Sequence, residues 1–171
     1  ELPPIVPRAE GEPLVWSFAQ QRLWFLAQLE GQSAAYNMPA ALRLTGQLNE
    51  TALQRALTAL IQRHDSLRLC FPVLDGEATV QRSEVYNPLS VTDLSQLSSR
   101  EQQSQVTEWT ANHAQTPFDL STGPLLSLRL LKLSQQEQIL LFNMHHIISD
   151  GWSIGVLIRD LRQLYNAYAQ N

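Results

Sequence analysis

Apolar residues recur along the chain in two rhythms, one helical and one strand-like. Ala19, Leu23, Leu26 and Ala27 fall at helical spacing behind Ser17 and Gln20, a capping-box pair, which predicts a helix over 17–30 closed by Gly31. Leu53, Ala56, Leu57, Leu60 and Ile61 form one stripe after Asn49, a good N-cap, and predict a second, amphipathic helix ending near His64. A polar stretch, 95–105, leads into a third helix ending near Gln115. After Gly151, the positions Ile154, Leu157, Ile158, Leu161, Leu164 and Tyr168 predict a long final helix.

The strand rhythm lies between these helices. Met38, Leu42 and Leu44 alternate with polar residues before Gly46, which predicts a strand entering a turn over 37–48. Short runs at 67–71 and 78–81 flank Asp75-Gly76 and predict a hairpin. Leu126, Leu128 and Leu130 alternate with Ser127 and Arg129 as in a half-buried strand, whereas 139–144 is almost continuously apolar, as in a central strand covered on both faces. Strands and helices that mix without a regular βαβ repeat point to an α/β sandwich with a mixed, largely antiparallel sheet flanked by helices.

Composition narrows the partners. With 44% hydrophobic and 16% charged residues the chain has the balance of a globular domain able to bury one core. The net charge is −4 and no Lys/Arg patch is concentrated anywhere, which excludes a phosphate-backbone reader, so no nucleic acid is expected. No run approaches the roughly 18 apolar residues of a membrane helix, so no membrane partner is expected either. The single cysteine, Cys70, sits in an apolar run and reads as a buried small hydrophobe; a cytoplasmic setting is the default. Four prolines within residues 1–13 suggest a linker or N-terminal arm, leaving 14–171 as the folded unit. The absence of an initial Met and the helical pattern at the end suggest a piece of a longer protein.

The chemistry-bearing residues concentrate where the continuous apolar strand stops. His145, His146, Asp150 and Gly151 fall within seven residues, at a strand-to-helix junction where backbone N–H groups are free. Adjacent histidines on extended backbone point to opposite sides and do not readily grip one metal ion, and only His64 and His113 remain elsewhere. A histidine ending a buried strand is often a hydrogen-bonded core residue, and the residues alone leave that reading open beside a catalytic loop.

The wording of this segment decides between them. Met144-His145-His146-Ile147-Ile148-Ser149-Asp150-Gly151-Trp152-Ser153 resembles, without a gap, the core motif of the condensation domains of nonribosomal peptide synthetases, and its His-His-x-x-x-Asp-Gly part is similar to chloramphenicol acetyltransferase. Ser17-Phe18-Ala19-Gln20-Gln21-Arg22-Leu23-Trp24-Phe25-Leu26, Arg63-His64-Asp65-Ser66-Leu67-Arg68-Leu69-Cys70-Phe71, and Pro117-Phe118-Asp119-Leu120 with Gly123-Pro124-Leu125 resemble the same family in the expected order. Asp65 and Leu69 depart from its usual Glu and Thr, at positions that are not catalytic candidates.

The resemblance implies a chloramphenicol acetyltransferase-like lobe, the N-terminal one of two, with the C-terminal lobe absent. It implies amide bond formation between a donor acyl or peptidyl thioester and the amine of an acceptor aminoacyl thioester. Both would ride on phosphopantetheine arms of partners, an upstream donor and a downstream acceptor peptidyl carrier protein, so no cofactor is bound by this chain; an adenylation domain would be a neighbour. His146 is expected to contact the attacking amine, as base or by positioning it, and the Gly151 N–H to meet an oxyanion. Asp150 is expected to be architectural, held by an arginine, with Arg22 and Arg68 as candidates in this chain and the missing half as another source. His145 is expected to face away from substrate into the core, Trp24 and Trp152 to pack, and a face of the lobe to be unusually apolar. The lobe alone is expected to be inactive. An L-configured donor fits the motifs best. Epimerisation domains share the histidine motif, and a non-catalytic lobe that only binds carriers is a further alternative; the first motif favours condensation.

Overall fold

The computed structural model describes residues 4, 6–9, 11–31 and 33–170. Among the described residues, four α-helices, α1 (Phe18–Glu30), α2 (Glu50–Arg63), α3 (Ser99–Gln115) and α4 (Gly151–Ala169), are interleaved with eight strands. The strands are β1 (Asn37–Thr45), β2 (Leu69–Cys70), β3 (Val73–Leu74), β4 (Glu77–Ala78), β5 (Gln81–Arg82), β6 (Leu89–Asp93), β7 (Leu126–Lys132) and β8 (Glu137–His145). Before Ser17 none of the described residues lies in a helix or strand.

The main sheet has the order β1-β8-β7-β6. β8 pairs antiparallel with both β1 and β7, and β6 joins β7 in parallel, so the sheet is mixed and mostly antiparallel as the sequence predicts. The continuous apolar run of β8 follows from its central place: side chains on both pleats are covered. Leu140, Phe142 and Met144 join Leu126, Leu128 and Leu130 under α2 and α4 in the larger core, whereas Ile139 and Leu141 pack with Leu131 and Leu94 beneath Val106 and Trp109 of α3. Helices therefore cover both faces.

Two segments differ from the sequence expectation. β6 has no counterpart in it: this edge strand is short and mostly exposed, and the alternation of Leu89 and Val91 with Ser90 and Thr92 is too brief to stand out. α3 begins inside the stretch read as polar, because Ser98 and Glu101 form a capping box there. The predicted hairpin is present as two nested pairs, β3–β4 around Asp75-Gly76 and β2–β5 outside it, with both turn residues at positive φ (52° and 83°), while Leu67 lies in a single 3₁₀ turn, Asp65–Arg68.

Candidate active site

The end of β8 is held from both sides. The His145 N–H donates to the Leu125 carbonyl at 3.0 Å and the His146 N–H to the Tyr36 carbonyl at 2.9 Å, carrying the ladder one step past the strand. Ile147 and Ile148 then bury their side chains in the core, so the connection to α4 is anchored rather than draped over the surface. His146 and Asp150, which flank this anchor, are exposed.

The two histidines are in opposite environments, as the pleat dictates. His145 is 3% exposed, on the α3 side, beside Phe118 and Tyr36. Its Nδ1 accepts from the Ile147 N–H at 3.0 Å, which requires that nitrogen to be unprotonated. Burial, with the neighbouring His146 adding to it, pushes the His145 pKa down to about 4, so the ring is neutral near neutral pH.

His146 lies 2.8 Å through Nδ1 from the Ser149 carbonyl. A carbonyl only accepts, so Nδ1 carries the proton and, in the neutral ring, Nε2 holds the lone pair. The turn 146–149, closed by Ser149 N–H to His146 carbonyl at 3.4 Å, thus selects the tautomer that leaves an acceptor on the exposed ring.

Asp150 begins α4. Its Oδ1 accepts from the Ser153 N–H at 2.8 Å and from the Ser153 hydroxyl at 2.6 Å, and these bonds hold its carboxyl below the usual range. Neither candidate arginine of this chain pairs with Asp150 among the described residues: Arg68 pairs with Asp65 on its own 3₁₀ turn, and Arg22 makes no ion pair. The N-cap bonds from Ser153 occupy Oδ1 of Asp150.

Gly151 opens α4 with ordinary negative φ, and a Cβ built on it would meet nothing within 4 Å. Neither the turn nor local packing demands glycine, although glycine disfavours the helix it begins. The N–H groups of Gly151 and Trp152 have no acceptor among the described residues, and they point from the positive end of α4.

Trp24 packs as expected, its indole N–H donating to the Phe71 carbonyl at 3.3 Å. Trp152 does not: it is 84% exposed and borders a cleft of about 140 Å³ with His64, Ser66, Ser149 and Leu157. The second residue of α4 projects away from the sheet, so helical spacing, which places Ile154 and Leu157 inward, leaves it outside. Phe18, at 89% exposure, Phe25 and Leu29 make the outer side of α1 apolar as well. A larger concavity of about 600 Å³, lined by Gln47, Asn49, Asp93 and Lys132, lies by the opposite end of β8, where Lys132 is ion-paired to Glu50.

Sequence reasoning missed one residue of this site. Gln20 of α1 donates through Nε2 to the Ile147 carbonyl at 3.2 Å, a contact across 127 positions that no local pattern announces.

Comparisons with known proteins agree on one family. Residues 11–171 match the family model of the condensation domain. The chain is 46% identical to a linear gramicidin synthase protein of Brevibacillus parabrevis, over 97% of this chain and 3% of that protein. It is 43% identical to malpinin synthetase of Mortierella alpina, over 96% of this chain and 2% of that protein. The crystal structure of the starter condensation domain of rhizomide synthetase RzmA is similar with a TM-score of 0.84 and 25% identity, covering 94% of this chain and 39% of that one. The chain thus spans a small part of the relatives it matches, and its fold class is the chloramphenicol acetyltransferase-like one expected.

Proposed function

This chain belongs to the condensation domain family, and on that footing we propose that it forms the N-terminal lobe, residues 14–171, of a domain that joins two carrier-bound acyl groups by an amide bond. The donor is an acyl or peptidyl thioester, the acceptor an aminoacyl thioester, and each hangs from the phosphopantetheine arm of a peptidyl carrier protein. The relatives are large synthetases, which suits a chain that works beside carrier and adenylation domains. A buried free Cys70 suits a cytoplasmic setting.

The observation that carries the proposal is the His146 tautomer. With Nδ1–H engaged at 2.8 Å by the Ser149 carbonyl, the lone pair of Nε2 is available to the acceptor amine. The amine nitrogen attacks the thioester carbonyl carbon, the C–N bond forms, and the carbonyl oxygen becomes an oxyanion facing the free N–H of Gly151 at the positive end of α4. Collapse breaks the C–S bond, and the proton that leaves the amine ends on the donor arm's thiolate. A thioester is already reactive toward an amine with a pKa near 8, so alignment of the two arms is the larger contribution, on the order of 7–11 kcal/mol. Asp150, ionised and bonded to Ser153, keeps the loop in register with α4 and takes no part in proton transfer.

The test supplies the complete domain with loaded donor and acceptor carriers and identifies the product by mass spectrometry. Amide on the acceptor arm is expected. An acceptor or donor residue returned with inverted α-carbon and no amide would replace this reading with epimerisation, and carrier binding without either product would leave only a docking lobe.

A further inference from the structure

Gln20 reads from the sequence as a helix-capping residue, and its amide serves that role with one atom only. Oε1 accepts from the Ser17 N–H at 2.9 Å while the Ser17 hydroxyl accepts from the Gln20 N–H at 3.2 Å. Because the Ser17 N–H is a donor, the amide atom facing it is oxygen, and the NH₂ end is fixed toward the Ile147 carbonyl at 3.2 Å. The Ile147 N–H is already taken by His145 Nδ1 at 3.0 Å. Both backbone groups of the residue next to His146 are thus clamped, one by the buried histidine and one by α1.

We propose that Gln20 is a positioning residue for the His146 loop, locking the Ile147 peptide and through it the turn that places the Ser149 carbonyl against His146 Nδ1. The inference rests on the reading of His146 as the group that meets the amine, and it adds α1 to the frame of the site. A cap alone does not need an amide, since glutamate closes a capping box equally well. The Nε2 donor is what glutamate lacks.

That difference supplies the experiment. Gln20→Glu keeps the acceptor for Ser17 and favours the first turn of α1, but sets a carboxylate oxygen against the Ile147 carbonyl; Gln20→Ala removes both bonds. Both are compared with wild type and with His146→Ala in the complete domain with loaded carriers, and amide exchange is followed over 146–149. Gln20→Glu is expected to lower kcat roughly 10- to 100-fold with KM for the carriers unchanged, because a small misplacement of a reacting group has an effect of that order. Its thermal unfolding is expected to hold and exchange over 146–149 to accelerate, while Gln20→Ala loses both kcat and stability. Wild-type kcat in Gln20→Glu, beside an inactive His146→Ala, overturns the inference and spares the site. Wild-type kcat in His146→Ala overturns the reading of the site, and exchange over 146–149 then decides for or against the Gln20 clamp.

Discussion

The two sides of the end of β8 are built from similar residues to opposite purposes. On the α3 side, polar groups are buried or half-buried and their donors are spent on structure. Asn143 donates to the His113 carbonyl at 2.7 Å and Asn37 to the Ala114 and Thr116 carbonyls at 2.9 and 2.8 Å, satisfying the open end of α3, and His145 accepts from Ile147. On the α4 side the polar groups stand at the surface, and several keep an unused valence: Nε2 of His146 and the N–H groups of Gly151 and Trp152. A single step along the backbone separates a buried histidine that accepts from the loop from an exposed one whose Nε2 has no partner among the described residues. The contrast teaches that a buried polar network can serve a site it never touches, by fixing the loop that does.

Acidification strikes the buried side first and gives the largest expected effect on stability. The folded pKa of His145, about 4, lies below its ordinary value near 6.5, so the unfolded chain takes up the proton first. Stability therefore falls as pH drops from about 6.5 to about 4, by roughly 3 kcal/mol at most, and is level above that window. His113, whose pKa burial also lowers, adds in the same direction. Urea unfolding at stepped pH checks it; a flat profile between pH 6.5 and 4.5 contradicts a neutral buried His145.

Asn143→Ala should remove about 2 kcal/mol in the same unfolding measurement, since it strips a buried donor from the last turn of α3. Turnover per folded molecule is expected to survive, which sharpens the division between the sides. Asp150 separates cap from acid: Asn is an equally good N-cap, so Asp150→Asn should retain most of the turnover that Asp150→Ala loses. Loss of turnover in both would move Asp150 from the frame into the chemistry. Gly151→Ala has the smallest expected effect on stability, a gain of up to about 1 kcal/mol from helix propensity with no clash. Amide formation should nonetheless fall, because the methyl enters the open space before the Gly151 N–H; undiminished turnover would remove Gly151 from the site.

Much of this was legible in the chain. The stripe of Leu53, Leu57, Leu60 and Ile61, the continuous apolar run ending at His145, and the Asp75-Gly76 turn each carry a local period or a conformational demand, and each element formed where that signal lies. Adjacent positions on a strand also foretold that His145 and His146 part company. What escaped carried a brief local signature, a misread one, or none. β6 has only the brief alternation of Leu89 and Val91 and is held by its register against β7. Gln20 finds Ile147 only once the whole lobe is assembled, whereas the Asp150 cap on Ser153 is local, three residues apart, as an N-cap Asp forms it. Trp152 escaped because a large apolar residue beside a motif reads as core, whereas its place on the outer side of α4 leaves it bare.

The central claim is that the outward-facing histidine serves the chemistry and the inward-facing one the frame. Its most direct test is single-turnover amide formation by the complete domain with both carriers preloaded, comparing wild type with His146→Ala at matched folded fraction. A fall of about 10²- to 10⁴-fold, with unfolding unchanged, is the predicted result. A rate within the wild-type range would contradict it and leave the loop as scaffolding for chemistry performed elsewhere.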